Sequence, residues 1–124
     1  MQTTTRKVAA VQVECKVGQA ARNLDRAGEQ VQQAAGQGAS LVLLPELTPG
    51  GYILTEELWD TAEPIGGASV AWLARTAREF GIYLGMTFLE ADGQDFFNTF
   101  VLAAPNGAIA GRVRKNPPAS AEAY

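Results

Sequence analysis

Two charged residues stand where a chain can hold a reactive group against a substrate. Glu46 follows directly on the apolar run Leu41–Leu44 and Pro45, and open α/β sheets place their ligand crevices at the carboxyl ends of parallel strands. A carboxylate set against an apolar strand end and a proline is expected to lose solvation, which lifts its pKa toward the range useful to a general base. Lys115 ends the stretch Arg112-Val113-Arg114 and leads into a segment with Pro117 and Pro118 that fixes its exit direction. Each has an ordinary alternative when taken singly. Glu46 also reads as a solvated loop or helix-capping glutamate, Lys115 as a surface lysine laying its stem along an edge strand. Glu122, seven residues further on, reads by itself as an exposed carboxylate near the chain end.

The residue types that are missing narrow the chemistry. The 124 residues contain no histidine, the commonest general base and metal ligand. The single cysteine, Cys15, can support neither an intramolecular disulfide nor a structural zinc site. Catalysis must therefore run on carboxylate, amine, hydroxyl or thiol groups, and no metal is implied. Neither Gly50-Gly51 nor Gly66-Gly67 belongs to a glycine pattern that cradles phosphates, so a nucleotide-binding α/β domain has little support.

The elements that must position Glu46 and Lys115 follow from periodicity. Lys7–Val13 is apolar on both faces of a period-two strand, the pattern of a central strand covered on each side. Between Gly18 and Gly38, Ala20, Leu24, Ala27, Val31, Ala34 and Ala35 recur at helical spacing, and a glycine ends the helix. Leu41–Leu44 then reads as a buried parallel strand, which closes a βαβ unit. Pro45–Ile53 is a loop, and Thr55–Trp59 forms one helical turn. A second amphipathic helix opens at Gly66-Gly67-Ala68-Ser69, buries Val70, Leu73, Ala74, Ala77 and Phe80, and stops at Gly81. Strands follow at Ile82–Leu89, Phe96–Ala104 and Ala108–Arg114, joined by turns at Asp92-Gly93 and Asn106-Gly107. The class is α/β with a mixed sheet and helices on one face at least. Strands apolar on both sides imply a second layer that the sequence through Tyr124 does not supply.

Composition bounds the partners. Nearly half the residues are apolar, enough for a real core in one domain. Ten basic and 13 acidic residues give a formal charge of -3 with no basic face, which argues against nucleic acid or an anionic membrane. The first apolar run is too short for a signal-peptide core or a membrane span. An unpaired cysteine fits a reducing compartment, with the cytoplasm as default.

Leu43-Leu44-Pro45-Glu46-Leu47-Thr48-Pro49-Gly50-Gly51-Tyr52 resembles the glutamate motif of the nitrilase superfamily of carbon–nitrogen hydrolases. The resemblance runs the length of the chain. Val8–Gln12 is similar to the family's opening strand, and Asn23-Leu24 and Gly38-Ala39 fit its first helix and the approach to the second strand. Phe97-Asn98-Thr99 with Pro105-Asn106-Gly107 resembles its hairpin, and Gly111–Lys115 with Pro118 and Glu122 resembles its lysine motif. What the resemblance implies is half of an αββα sandwich bearing a Glu-Lys-Cys triad that hydrolyses nitriles or non-peptide amides through a covalent intermediate, without a cofactor. Glu46 would be the general base, Lys115 the group that stabilises the tetrahedral intermediate, Glu122 a support for lysine and substrate, and Tyr52 part of the substrate pocket. The intact enzyme would be a homo-oligomer.

The departure is the nucleophile. The family's cysteine follows the lysine motif on a strand-to-helix turn, and Tyr124 is reached first. Cys15 lies far upstream without elbow glycines and reads as a small, mostly buried hydrophobe. The expectation is therefore the amino-terminal portion of one hydrolase domain, 1–124, incomplete at its carboxyl end and inactive alone. The alternative of another class is a shortened, non-catalytic relative that serves as an interaction module.

Overall fold

A computed structural model describes residues 3–115 of the chain. Five strands form one mixed sheet in the order β1 (Val8–Ala10), β2 (Leu41–Leu43), β3 (Tyr83–Asp92), β4 (Asp95–Ala103) and β5 (Ile109–Arg114). β1, β2 and β3 run parallel, and β4 and β5 continue as antiparallel hairpins. Helix α1 (Ala20–Gly36) crosses from β1 to β2, and α2 (Ala68–Phe80) from the region after β2 to β3. Among the described residues no helix is long and apolar enough to cross a membrane.

Both helices pack on the same face of the sheet. α1 buries Leu24, Ala27, Val31 and Ala34, and α2 buries Val70, Leu73 and Ala77, against Val42, Leu84, Met86, Phe88 and Val101 from the strands. The helix boundaries follow local chemistry. Gly81 ends α2 at a φ of 64°, and beyond α1 Gly38 turns at 93° while the Ala39 amide reaches back to the Ala34 carbonyl. At its start α2 is capped from outside, because the Glu63 carboxylate accepts from both the Ser69 amide and the Ser69 hydroxyl.

The opposite face of the sheet is largely bare. Val8, Leu43 and Tyr83 are exposed on it, and so is Val113 at 65 %. Among the described residues only its far end is covered: the loop after β2, with a 3-10 helix at Glu56–Thr61, folds back so that Leu47 and Leu58 bury Leu89 and Trp59 meets Phe96. The class expected from the sequence thus holds, an α/β mixed sheet with helices on one face, and the other face exposes apolar side chains.

Two expectations need correction. Among the described residues the first strand lies at the edge of the sheet, not at its centre, and only Val8–Ala10 of Lys7–Val13 forms strand, with the Lys7 carbonyl and Val11 amide still bonded to Ser40 and Leu43 at its ends. β3 runs three residues beyond Leu89, because β4 stays hydrogen-bonded beside it as far as Asp95.

Candidate active site

Glu46 and Lys115, 69 positions apart, meet on the open face. The Lys115 Nζ lies 3.1 Å from Glu46 Oε1. The same carboxylate oxygen accepts a second hydrogen bond, at 2.7 Å, from the Asn98 side-chain amide on β4. Two charge-assisted donors therefore converge on one oxygen and fix the direction of the carboxylate. Glu46 and Lys115 remain 42 % and 40 % exposed. The loss of solvation expected for Glu46 is thus not found, because the described residues wall the crevice on one side only.

Each of the three arrives by a different route. Glu46 leaves β2 after Pro45, and the chain then turns sharply through Leu47, a non-glycine residue with a φ of 52°. The turn is tied on several sides. The Leu47 amide donates to the Thr87 hydroxyl at 2.7 Å, the Leu47 carbonyl accepts from Gly51, and the Thr48 hydroxyl donates to the Pro45 carbonyl at 2.6 Å. From below, the fully buried Asn23 of α1 donates to the carbonyls of Pro49 and Lys16 and accepts from the Lys16 amide, which joins this loop to the one after β1. Gly51, at a φ of 84°, lets the two loops touch, since a Cβ there would sit 3.2 Å from the Val17 backbone.

Lys115 is placed by the alternation of β5. Its amide donates to the Asn98 carbonyl at 2.8 Å, so it stands one residue beyond the last paired position. The preceding residue, Arg114, points to the helix-side face and grips Glu90, which is only 2 % exposed. Nε reaches Oε1 at 3.1 Å and Nη2 reaches Oε2 at 3.2 Å. Thr99 and Arg112 complete the ring around Glu90, and the Arg114 guanidinium lies 3.7 Å over the Phe97 ring. Burial pushes the Glu90 carboxyl up, but the hydrogen bonds from Arg114 and Thr99 and the charges of Arg114 and Arg112 together outweigh it and hold the group below its ordinary range. A one-residue slip of β5 would exchange the faces of Arg114 and Lys115, so this ring also protects the register that aims Lys115 at Glu46.

The remaining sequence candidates divide. Tyr52 is 45 % exposed on the loop six residues past Glu46. Glu122 lies outside the described residues. Cys15 sits in the loop between β1 and α1, half-buried, with its thiol directed at the Val13 carbonyl. Burial pushes that thiol up, only partly offset by the Arg22 charge and a hydrogen bond with Thr48, so it makes a poor thiolate. Sequence reasoning did not single out Asn98, Thr87, Glu90 or Asn23 as positioning groups. A readable signal existed for Glu90, a charge inside a mostly apolar strand, facing two arginines with one residue between them.

A mixed sheet with helices on one face, and a carboxylate and an amine joined on the other beyond the strand ends, defines the class: an α/β fold with a charged pair on its uncovered face. Comparison with known proteins fixes the family. Residues 7–123 match the carbon-nitrogen hydrolase family model, and the chain belongs to that family. It is 36 % identical over 112 residues, 88 % of its length, to a nitrilase of Pyrococcus abyssi, and 42 % identical over 90 residues, 72 % of its length, to an omega-amidase of Danio rerio. It spans 42 % and 32 % of those two proteins. Among solved structures, it superposes on an amidase from Nesterenkonia sp. with a TM-score of 0.82 at 25 % identity, covering 93 % of this chain and 44 % of that one. A carbon-nitrogen hydrolase superfamily protein from Xanthomonas campestris gives 0.75 at 30 % identity, covering 85 % and 38 %.

Proposed function

We propose that this chain is the amino-terminal part of an enzyme that hydrolyses a small amide or nitrile, and that Glu46 and Lys115 are two members of its Glu-Lys-Cys triad. The observation that carries the reading is the 3.1 Å contact between Lys115 and Glu46 on the crevice side of the sheet. In this mechanism Glu46 takes the proton of a cysteine thiol, and the thiolate attacks the carbonyl or nitrile carbon. The Lys115 ammonium stabilises the charge that develops on the former carbonyl oxygen or nitrile nitrogen. Glu46 returns the proton to the departing ammonia or amine of an amide, or to the nitrogen of a nitrile, whose thioimidate then takes up one water and loses ammonia. In both cases it activates the water that releases the acid and frees the thiol. Glu122 supports lysine and substrate, and Tyr52 lines the pocket.

Cys15, whose half-buried thiol is directed at the Val13 carbonyl and raised by burial, does not fill the nucleophile's role in this reading, so the cysteine is assigned to a segment outside these 124 residues. That segment also supplies the second layer over Leu43, Tyr83 and Val113. The coverage of about two fifths of the nitrilase relative is in keeping with this. The whole enzyme is read as cytoplasmic and homo-oligomeric.

The test is complementation. This chain alone should release no ammonia from short aliphatic amides or nitriles. Fused to the carboxyl-terminal segment encoded next to it, or to that of the Nesterenkonia amidase, it should turn over. Glu46→Gln or Lys115→Met in the fusion should then cost roughly 10²–10⁴-fold in kcat. A folded, active fusion that ignores both substitutions would overturn the assignment. If the gene encodes no further domain, the chain is instead a non-catalytic relative.

A further inference from the structure

The geometry points to Thr87 as a positioning residue that sets the direction of the Glu46 carboxylate through the backbone of Leu47. The inference rests on the reading of Glu46 and Lys115 as a working pair. Leu47 immediately follows the carboxylate and holds a φ of 52°, the left-handed region that a leucine adopts only under constraint. The constraint is visible. Its amide is bonded at 2.7 Å to the Thr87 hydroxyl, in the middle of β3, and its side chain is buried under Leu58 and Leu89.

Thr87 lies on the same open face as the site, since it pairs with Phe100 and alternates with Phe88, whose side chain fills the helix-side core. Downstream, Pro49 is fixed by Asn23 and Gly50 by the Gly18 amide; upstream, the Leu44 amide is fixed by the Gly85 carbonyl. Between these fixed points the path of the chain past Glu46 depends on the turn at Leu47. If Leu47 relaxed toward a right-handed conformation, the chain would have to swing Glu46 away from Lys115 and Asn98 to reconnect. The hydroxyl holds the strained conformation and thereby the reach of the carboxylate. A core-packing threonine would not require its oxygen.

Two matched pairs of variants isolate that oxygen: Thr against Val at position 87, and Ser against Ala. The readout is the zero-length carbodiimide cross-link between Glu46 and Lys115 in the 124-residue chain, quantified by mass spectrometry of the joined peptides, with deuterium exchange at the Leu47 amide alongside. Thr87→Ser should keep the wild-type yield. Thr87→Val and Thr87→Ala should each lower it roughly fivefold or more against the hydroxyl-bearing partner, and exchange at Leu47 should speed up by a similar factor or more. Circular dichroism should stay unchanged within each pair. Because Ser and Ala are both smaller than Thr, that pair still decides the matter if Val disturbs packing. Equal yields from Ser and Ala would overturn the role of Thr87 while leaving the ion pair standing. A wild-type chain that gives no such cross-link would overturn the Glu46–Lys115 pair and this inference with it.

Discussion

Glu90 is ionised in a place where an unpaired carboxylate would be costly, and its partners explain why. It is shielded by the sheet, yet two arginines and a threonine hydroxyl supply it with donors at 2.8–3.4 Å. Removing one side of such an arrangement leaves the other poorly solvated. Glu90→Gln keeps the shape and loses the charge, so at neutral pH it should lower the unfolding free energy by about 1–3 kcal/mol. The pH dependence has a definite sign. Because the folded carboxyl lies below its ordinary value of 4.5, the stabilisation is complete above that value and disappears as pH falls through the lower folded value. Urea titrations of both chains at a series of pH values should show the wild-type advantage shrinking in acid. An advantage that persisted there unchanged would mean that Glu90 acts through packing and not through charge.

At the scale of elements, β3 connects the parallel and antiparallel halves of the sheet, and Gly85 is its tightest point. A Cβ there would sit 2.7 Å from Phe100 Cζ and 2.9 Å from Leu43 Cδ2. Both are side-chain tips on the uncovered face and can swing outward, so Gly85→Ala should cost about 1 kcal/mol in this chain, at the low end for overpacking. Under a second sheet the same tips would be pushed into a packed interface, and the cost should rise to about 2–3 kcal/mol. Melting curves of the variant in the isolated chain and in the complemented enzyme make the comparison; equal losses would argue against a second layer there. The elements themselves were largely legible, because helical spacing between Gly18 and Gly38 and turn residues at Gly93 and Gly107, both at positive φ, are local signals. The place of β1 was not, since a strand apolar on both faces looks the same whether its neighbours come from this segment or another. Glu46 and Lys115 stood out because the stretches around them resemble the family's glutamate and lysine motifs. Asn98 and Thr87 act through contacts 52 and 40 positions away in the chain, and nothing in their immediate neighbours reports such a contact.

For the molecule as a whole, the asymmetry of the sheet decides its behaviour in solution. One face is closed by α1 and α2, while the other shows Val8, Leu43, Tyr83 and Val113 to solvent, with the edges of β1 and β5 beside them. An apolar face of this kind favours association, and edges that pair with no other strand among the described residues give it a direction. The net charge of only -3 offers little repulsion against it. The chain on its own should therefore sediment as concentration-dependent oligomers. Val8→Lys with Val113→Lys should shift it toward monomer without changing its circular dichroism, because both residues lie on the open face away from the helix-side core and are already 63 % and 65 % exposed. In the complemented enzyme the outcome should reverse: two lysines placed beneath a second sheet would have to be desolvated without partners, and folding should fail. A wild-type chain that stays monomeric at every concentration would show that the face is not adhesive. Lysines tolerated in the complemented enzyme would show that the second layer lies elsewhere, which would remove the main structural support for reading this chain as half of a sandwich.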